Sequence, residues 1–137
     1  MFDLQAFQEG AVQFLLAFGV AGILALAFKF LYQVVTPYEE RRLIREGNAA
    51  AAIVLGGALI GFTLPVASAL TQAGSLAEFV AWALLAGVIQ ILTFLIVRRL
   101  AVSDVGSRIE RGEVSTAIYL AAISICVGLV NAASMTE

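Results

Sequence analysis

Residues 11–28 carry no charged side chain, and that run constrains the fold more than any other feature of the chain. A helix crossing the hydrocarbon of a bilayer needs about 20 apolar residues, each rising about 1.5 Å. Lys29 sits near the far end, where it can snorkel to the interface, so the first span reads as 11–35. Three more spans follow. The second covers about 48–70, with Pro65 late in it. A turn by composition over 71–75 leads to the third, 77–97, closed by Arg98 and Arg99. The fourth covers 114–133. A soluble fold of 137 residues could not bury a composition that is 61% hydrophobic and 13% charged, whereas a bilayer can. The sequence therefore predicts an all-α, polytopic protein with four transmembrane helices in a single membrane domain over 1–137.

Orientation follows from the basic residues. Lys29, Arg41, Arg42, Arg45, Arg98, Arg99, Arg108 and Arg111 lie at or between spans one and two, or three and four. The positive-inside rule then puts both connecting hinges in the cytoplasm and both termini outside, periplasmic or extracellular. The acidic start, with Asp3 and Glu9 and no basic residue, is unlike a secretory signal, so the first span is expected to stay in the protein.

The hinges read as short helices on the membrane face. Thr36 is expected to cap the first, with Pro37 at its first helical position, Tyr38 next, and Glu39 completing a capping-box spacing. Gly47 before Asn48 is expected to end it in the left-handed conformation. In the second hinge Ser103 is the cap candidate, followed by Asp104, and Gly112 is the stop. Glu39, Glu40 and Glu46 mixed with Arg41, Arg42 and Arg45 suggest a solvated, self-pairing face more than a lipid-headgroup patch.

A shift of 65 residues lays one half of the chain on the other. Phe14 meets Phe79, Glu39 meets Asp104, Ile44 meets Ile109 and Gly47 meets Gly112. The halves, about 11–70 and 77–134, each hold two spans and so share one topology. That predicts parallel repeats about an axis along the membrane normal. Small residues four apart offer close-packing faces: Ala17, Ala21 and Ala25; Gly57 and Gly61; Ala83 and Gly87; Ser124 and Gly128.

Polar groups inside the spans are the candidate intramembrane sites. Gln90 and Asn131 read either as packing glue between helices or as gate and substrate contacts. Lys29 reads as an interfacial anchor, Glu78 as a wet residue at the outer face, and Pro65 as a kink or end that frees a carbonyl one turn earlier. There is no His, and the single Cys126 reads as a small buried hydrophobe. No metal, cofactor, nucleic acid or catalytic constellation is expected, because the motifs that would hold one are absent.

Thr36-Pro37-Tyr38-Glu39, the stretch from Leu43 to Asn48, the glycines 56, 57 and 61 leading to Pro65, and the stretch 128–136 together resemble the DUF350 (YjfL-like) membrane proteins. The resemblance covers nearly the whole chain. It implies a bacterial inner-membrane protein of paired two-helix repeats and implies no activity. The expected function is a non-enzymatic subunit or scaffold that binds a partner through its cytoplasmic hinges, a reading motivated by the lack of buried charge. The alternative is a small oligomeric channel or transporter lined by Gln90, Asn131 and the Pro65 kink. Expected partners are the lipid bilayer and either further copies of the chain or a membrane or cytoplasmic protein.

Overall fold

The computed structural model describes residues 1–135, which form six helices. Four are long: α1 (Leu4–Val35), α3 (Ala49–Gln72), α4 (Leu76–Leu100) and α6 (Val114–Ser134). Each is long and apolar enough to cross a membrane, which fits a polytopic membrane protein. The hinges carry the two short ones, α2 (Glu40–Arg45) and α5 (Val105–Glu110). The charge pattern gave three of the four spans closely. The first begins earlier than expected, because Asp3 accepts a hydrogen bond from the Ala6 amide and caps α1 there. At 32 residues α1 is about 48 Å long, beyond the roughly 30 Å of hydrocarbon.

The core is the α3–α6 pair. Along α3 the buried positions run Ala50, Val54, Gly57, Ala58, Gly61 and Pro65, a stripe at helical spacing. Its small residues let the backbones meet: a side chain added at Gly57 would collide with Ala121, and one at Gly128 with the Gly61 carbonyl. Close approach of this kind is how helices gain dispersion contact where lipid removes the hydrophobic drive. α4 lies against both, with Phe79, Ala83, Ala86 and Gln90 buried. α1 is peripheral. Only Phe28 and Tyr32 are buried along its length. Phe28 stacks on Phe62 of α3 at 4.3 Å between ring centroids, and Tyr32 meets Phe94 of α4 edge-on at 5.0 Å.

Two expectations about the spans need correction. Of the two alternatives for Pro65, a kink or an end, the second is excluded: α3 continues to Gln72 with Pro65 buried inside it. The proline lacks the N–H that would have bonded the Gly61 carbonyl, and that carbonyl instead faces Gly128. Cys126 is exposed on α6, not buried. It falls off the stripe of Ala117, Leu120, Ala121 and Gly128 that faces the core. The tendency of cysteine to be buried assumes water outside, and beside lipid an outward thiol loses nothing.

Candidate functional site

The hinges are built differently from their expected caps. Thr36 precedes a proline, which disfavours helical backbone, and its ψ of 143° ends α1. Its one hydroxyl proton goes to the Gln33 carbonyl at 3.0 Å, with the Tyr38 carbonyl a longer alternative at 3.4 Å, so it serves the end of α1 and not the start of α2. Pro37 and Tyr38 are therefore linker, and α2 starts only at Glu40 behind an extended Glu39 that makes no capping bond. Ser103 is not a cap either. Asp104 occupies that position in left-handed backbone, φ 60° and ψ 41°, again without a capping bond. The stops are as expected: Gly47 and Gly112 take φ of 85° and 76°, which a side chain would strain.

Asn48 ties the hinges into one layer. Its carbonyl oxygen caps α3 by accepting from the Ala51 amide, while its Nδ2 donates to the Ile109 carbonyl of the second hinge at 2.8 Å. Gly106 of α5 lies so close to Pro37 that an added Cβ would stand 3.2 Å from its carbonyl oxygen. Arg98, at the end of α4, donates to the Val35 carbonyl at 3.1 Å. Tyr38, Leu43, Val105 and Ile109 are buried beneath this lattice.

The carboxyl of Glu40 lies in the same buried layer. The expected solvated face fails here: Glu40 is 2% exposed, while Glu39 is exposed and only loosely paired to Arg42 at 3.8 Å. Neither Glu40 oxygen has a hydrogen-bond partner among the described residues, and the hydroxyls of Tyr32 and Tyr38 are buried without partners as well. Burial pushes the Glu40 carboxyl up to about 7; the Thr36 and Gln33 side chains lie near enough to offset part of this but not in hydrogen-bond geometry with it, and the Lys29 charge offsets a little more. Tyr38 is raised as well, first by burial and then by Glu40. An ionisable group held this way is a functional-site candidate on physical grounds. It also removes the premise that the protein buries no charge-bearing group.

The intramembrane candidates are separate from this site. Gln90 is buried and donates from Nε2 to the Ser124 carbonyl at 3.1 Å, leaving its Oε1 without a partner among the described residues. Asn131 is half-buried and donates to the Ala86 carbonyl at 3.3 Å. Ser68 adds a third such clasp, to Ala132 at 3.0 Å. These bonds join α3 and α4 to α6. Lys29 is half-buried on α1, close enough for its charge to act on Glu40 but with no ion pair within 4.0 Å among the described residues. Glu78 stays exposed and accepts from the Gly74 amide in the turn between α3 and α4. Among the described residues, no group of three or more Asp, Glu or Cys side chains could hold a metal ion.

A family model described as "Domain of Unknown Function (DUF350)" matches residues 6–135. The chain is 34% identical over 118 residues to the "UPF0719 inner membrane protein YjfL" of Escherichia coli strain K12, covering 86% of this chain and 87% of that one. The protein of the same name from Escherichia coli O157:H7 matches to the same extent. No solved structure matches the chain.

Proposed function

The chain belongs to the DUF350 family, and from that premise we propose that it is a non-enzymatic inner-membrane subunit that binds a partner protein through its hinge layer. The observation that carries the reading is the bond between Asn48 and Ile109, 61 residues apart in the chain, which ties the two hinges into one platform. Exposed charges line its outer side, among them Glu46, Glu110 and Arg111. In this reading the layer faces the cytoplasm, since every basic residue lies on that side, and both termini lie outside. The four helices form two parallel repeats in one domain. In support, α2 and α5, the starts of α3 and α6, and the ends of α1 and α4 all keep the 65-residue offset. The name of the Escherichia coli relative supports the inner membrane as the location.

The test is site-specific photocrosslinking in native membranes, from Glu46 and Glu110 on the layer and from Val130 on the outer half of α6. The proposal expects one stoichiometric adduct with a different protein from the hinge positions only. Adducts with nothing but the chain itself would set it aside. A transport role in an oligomer is the alternative, and the unpartnered Oε1 of Gln90 is the observation in its favour. It requires the purified protein to carry a specific flux in liposomes, and Gln90→Leu to abolish it while folding and oligomer size stay intact.

A further inference from the structure

Where α1 ends against α2, the surface opens into a groove of about 360 Å³. One wall is apolar: Phe30 and Val34, 54% and 80% exposed, occupy the last turns of α1. The rim is basic, formed by Arg41, Arg42 and Arg45. Among the described residues, Arg41 and Arg45 have no acidic group within 4.0 Å, and Arg42 has only the exposed Glu39 at 3.8 Å. Glu39 and Glu40 both line the groove, but Glu40 is buried and makes no ion pair within 4.0 Å with any of the three arginines among the described residues. The second hinge is an internal contrast. There Glu113 engages both Arg108, at 2.8 Å, and Arg111, at 3.6 Å.

A guanidinium cluster with one loose ion pair, beside an apolar wall at the level where the apolar run of α1 gives way to charge, fits one amphiphile of the surroundings. We propose that this groove seats an anionic phospholipid of the adjacent leaflet, its phosphate on Arg41, Arg42 and Arg45 and an acyl chain along Phe30 and Val34. Guanidinium forks match phosphate oxygens in pairs, and basic groups near a membrane surface each contribute about 1 kcal/mol towards anionic lipid. The inference does not rest on the partner reading, because it concerns the lipid-facing flank of the first hinge.

Native mass spectrometry of the full chain, with phosphatidylglycerol titrated against phosphatidylcholine, tests it. The wild type is expected to retain one phosphatidylglycerol on the order of a hundredfold more tightly, from three such basic contacts. Replacing Arg41, Arg42 and Arg45 together by Gln is expected to abolish the preference, whereas Arg108→Gln with Arg111→Gln leaves it. All three groove arginines are exposed, so their replacement leaves the packed layer untouched. No preference in the wild type, a preference that survives the triple change, or equal loss in both variants would each overturn the site. A readout free of any variant is a photoactivatable phosphatidylglycerol headgroup added to wild-type protein in phosphatidylcholine vesicles. Adducts within residues 30–45 support the groove, and adducts confined elsewhere contradict it.

Discussion

The two hinges occupy equivalent stretches of sequence and differ most at one buried position. Where the first holds Glu40, 2% exposed, the second holds Val105, also 2% exposed. Valine is what such a position ordinarily takes, since an apolar side chain needs no partner. A carboxyl there has to be neutral or unsatisfied. The remaining charges follow the same division. In the second hinge Glu113 draws in Arg108, Arg111 and the Thr116 hydroxyl, while in the first the arginines stay open to the groove. One hinge is electrostatically closed and the other is poised.

Exchanging the core residues should break the comparison most severely. Val105→Glu is expected to destabilise the protein by on the order of 3 kcal/mol at about pH 8, by placing a second unpaired carboxyl in the layer. Unfolding in mixed micelles measures this, and a loss well below 1 kcal/mol would mean the second hinge is no drier than the first.

The reciprocal change, Glu40→Val, is expected to stabilise, and only where Glu40 is charged. With its carboxyl raised from 4.5 to about 7 in the folded state, the folded protein binds more protons than the unfolded one across that window. Stability therefore falls as pH rises from about 4.5 to about 7 and levels off above it. The gain from Glu40→Val should reach on the order of 2–3 kcal/mol at about pH 8 and vanish near pH 4. The second hinge has the opposite sign. Hydrogen bonds from Thr116 and Arg108 hold Glu113 below the usual carboxylate range. Its contribution is present above the ordinary value and lost as pH falls through the lowered one, and Glu113→Gln should remove that acid-side loss.

Asn48→Ala tests the tie between the hinges. Losing a cap and a buried bond to the Ile109 carbonyl is expected to cost about 1–2 kcal/mol. Faster amide hydrogen exchange should then appear around 105–110 as well as at the start of α3. Exchange confined to α3 would mean that the cap alone matters. The smallest expected effect is at Asp104, whose φ of 60° suits glycine. Asp104→Gly should be neutral or stabilising by up to about 0.5 kcal/mol, whereas Glu39→Gly, in extended backbone, should be destabilising.

Much of the architecture was legible because charge and glycine mark it directly. The long helices end within a few residues of the charges: α4 one residue past Arg98 and Arg99, and α1 at Val35, shortly before the run that starts at Glu39. Gly47 and Gly112 stop the hinge helices because few other residues accept their backbone. Small residues four apart were expected to make close-packing faces in every span; Gly57, Gly61 and Gly128 lie where α3 meets α6, whereas Ala17, Ala21 and Ala25 of α1 are only half-buried. The caps were misread because Thr36 satisfies the helix before it, a choice fixed by the extended backbone that Pro37 imposes. Glu40 was hidden by its neighbours: in a run of alternating charges nothing local distinguishes the buried carboxyl from the wet ones. One signal was present. The offset that pairs Glu39 with Asp104 pairs Glu40 with Val105, and a valine in the other hinge marks that position as interior. The bond from Asn48 to Ile109 depends on how the hinges pack against each other, and the burial of Tyr32 on how α1 packs against Phe94 of α4, neither of which any spacing within one segment encodes.

The claim that the first hinge buries a titrating carboxyl is tested most directly by infrared difference spectroscopy of the reconstituted protein between about pH 5 and about pH 9. The structure predicts a protonated-carboxyl C=O band at the acid end that disappears with a midpoint near 7 and is missing in Glu40→Gln. A wild-type spectrum identical to that of Glu40→Gln, or a band lost with a midpoint near 4.5, would contradict it, because Glu40 would then be an ordinary solvated glutamate.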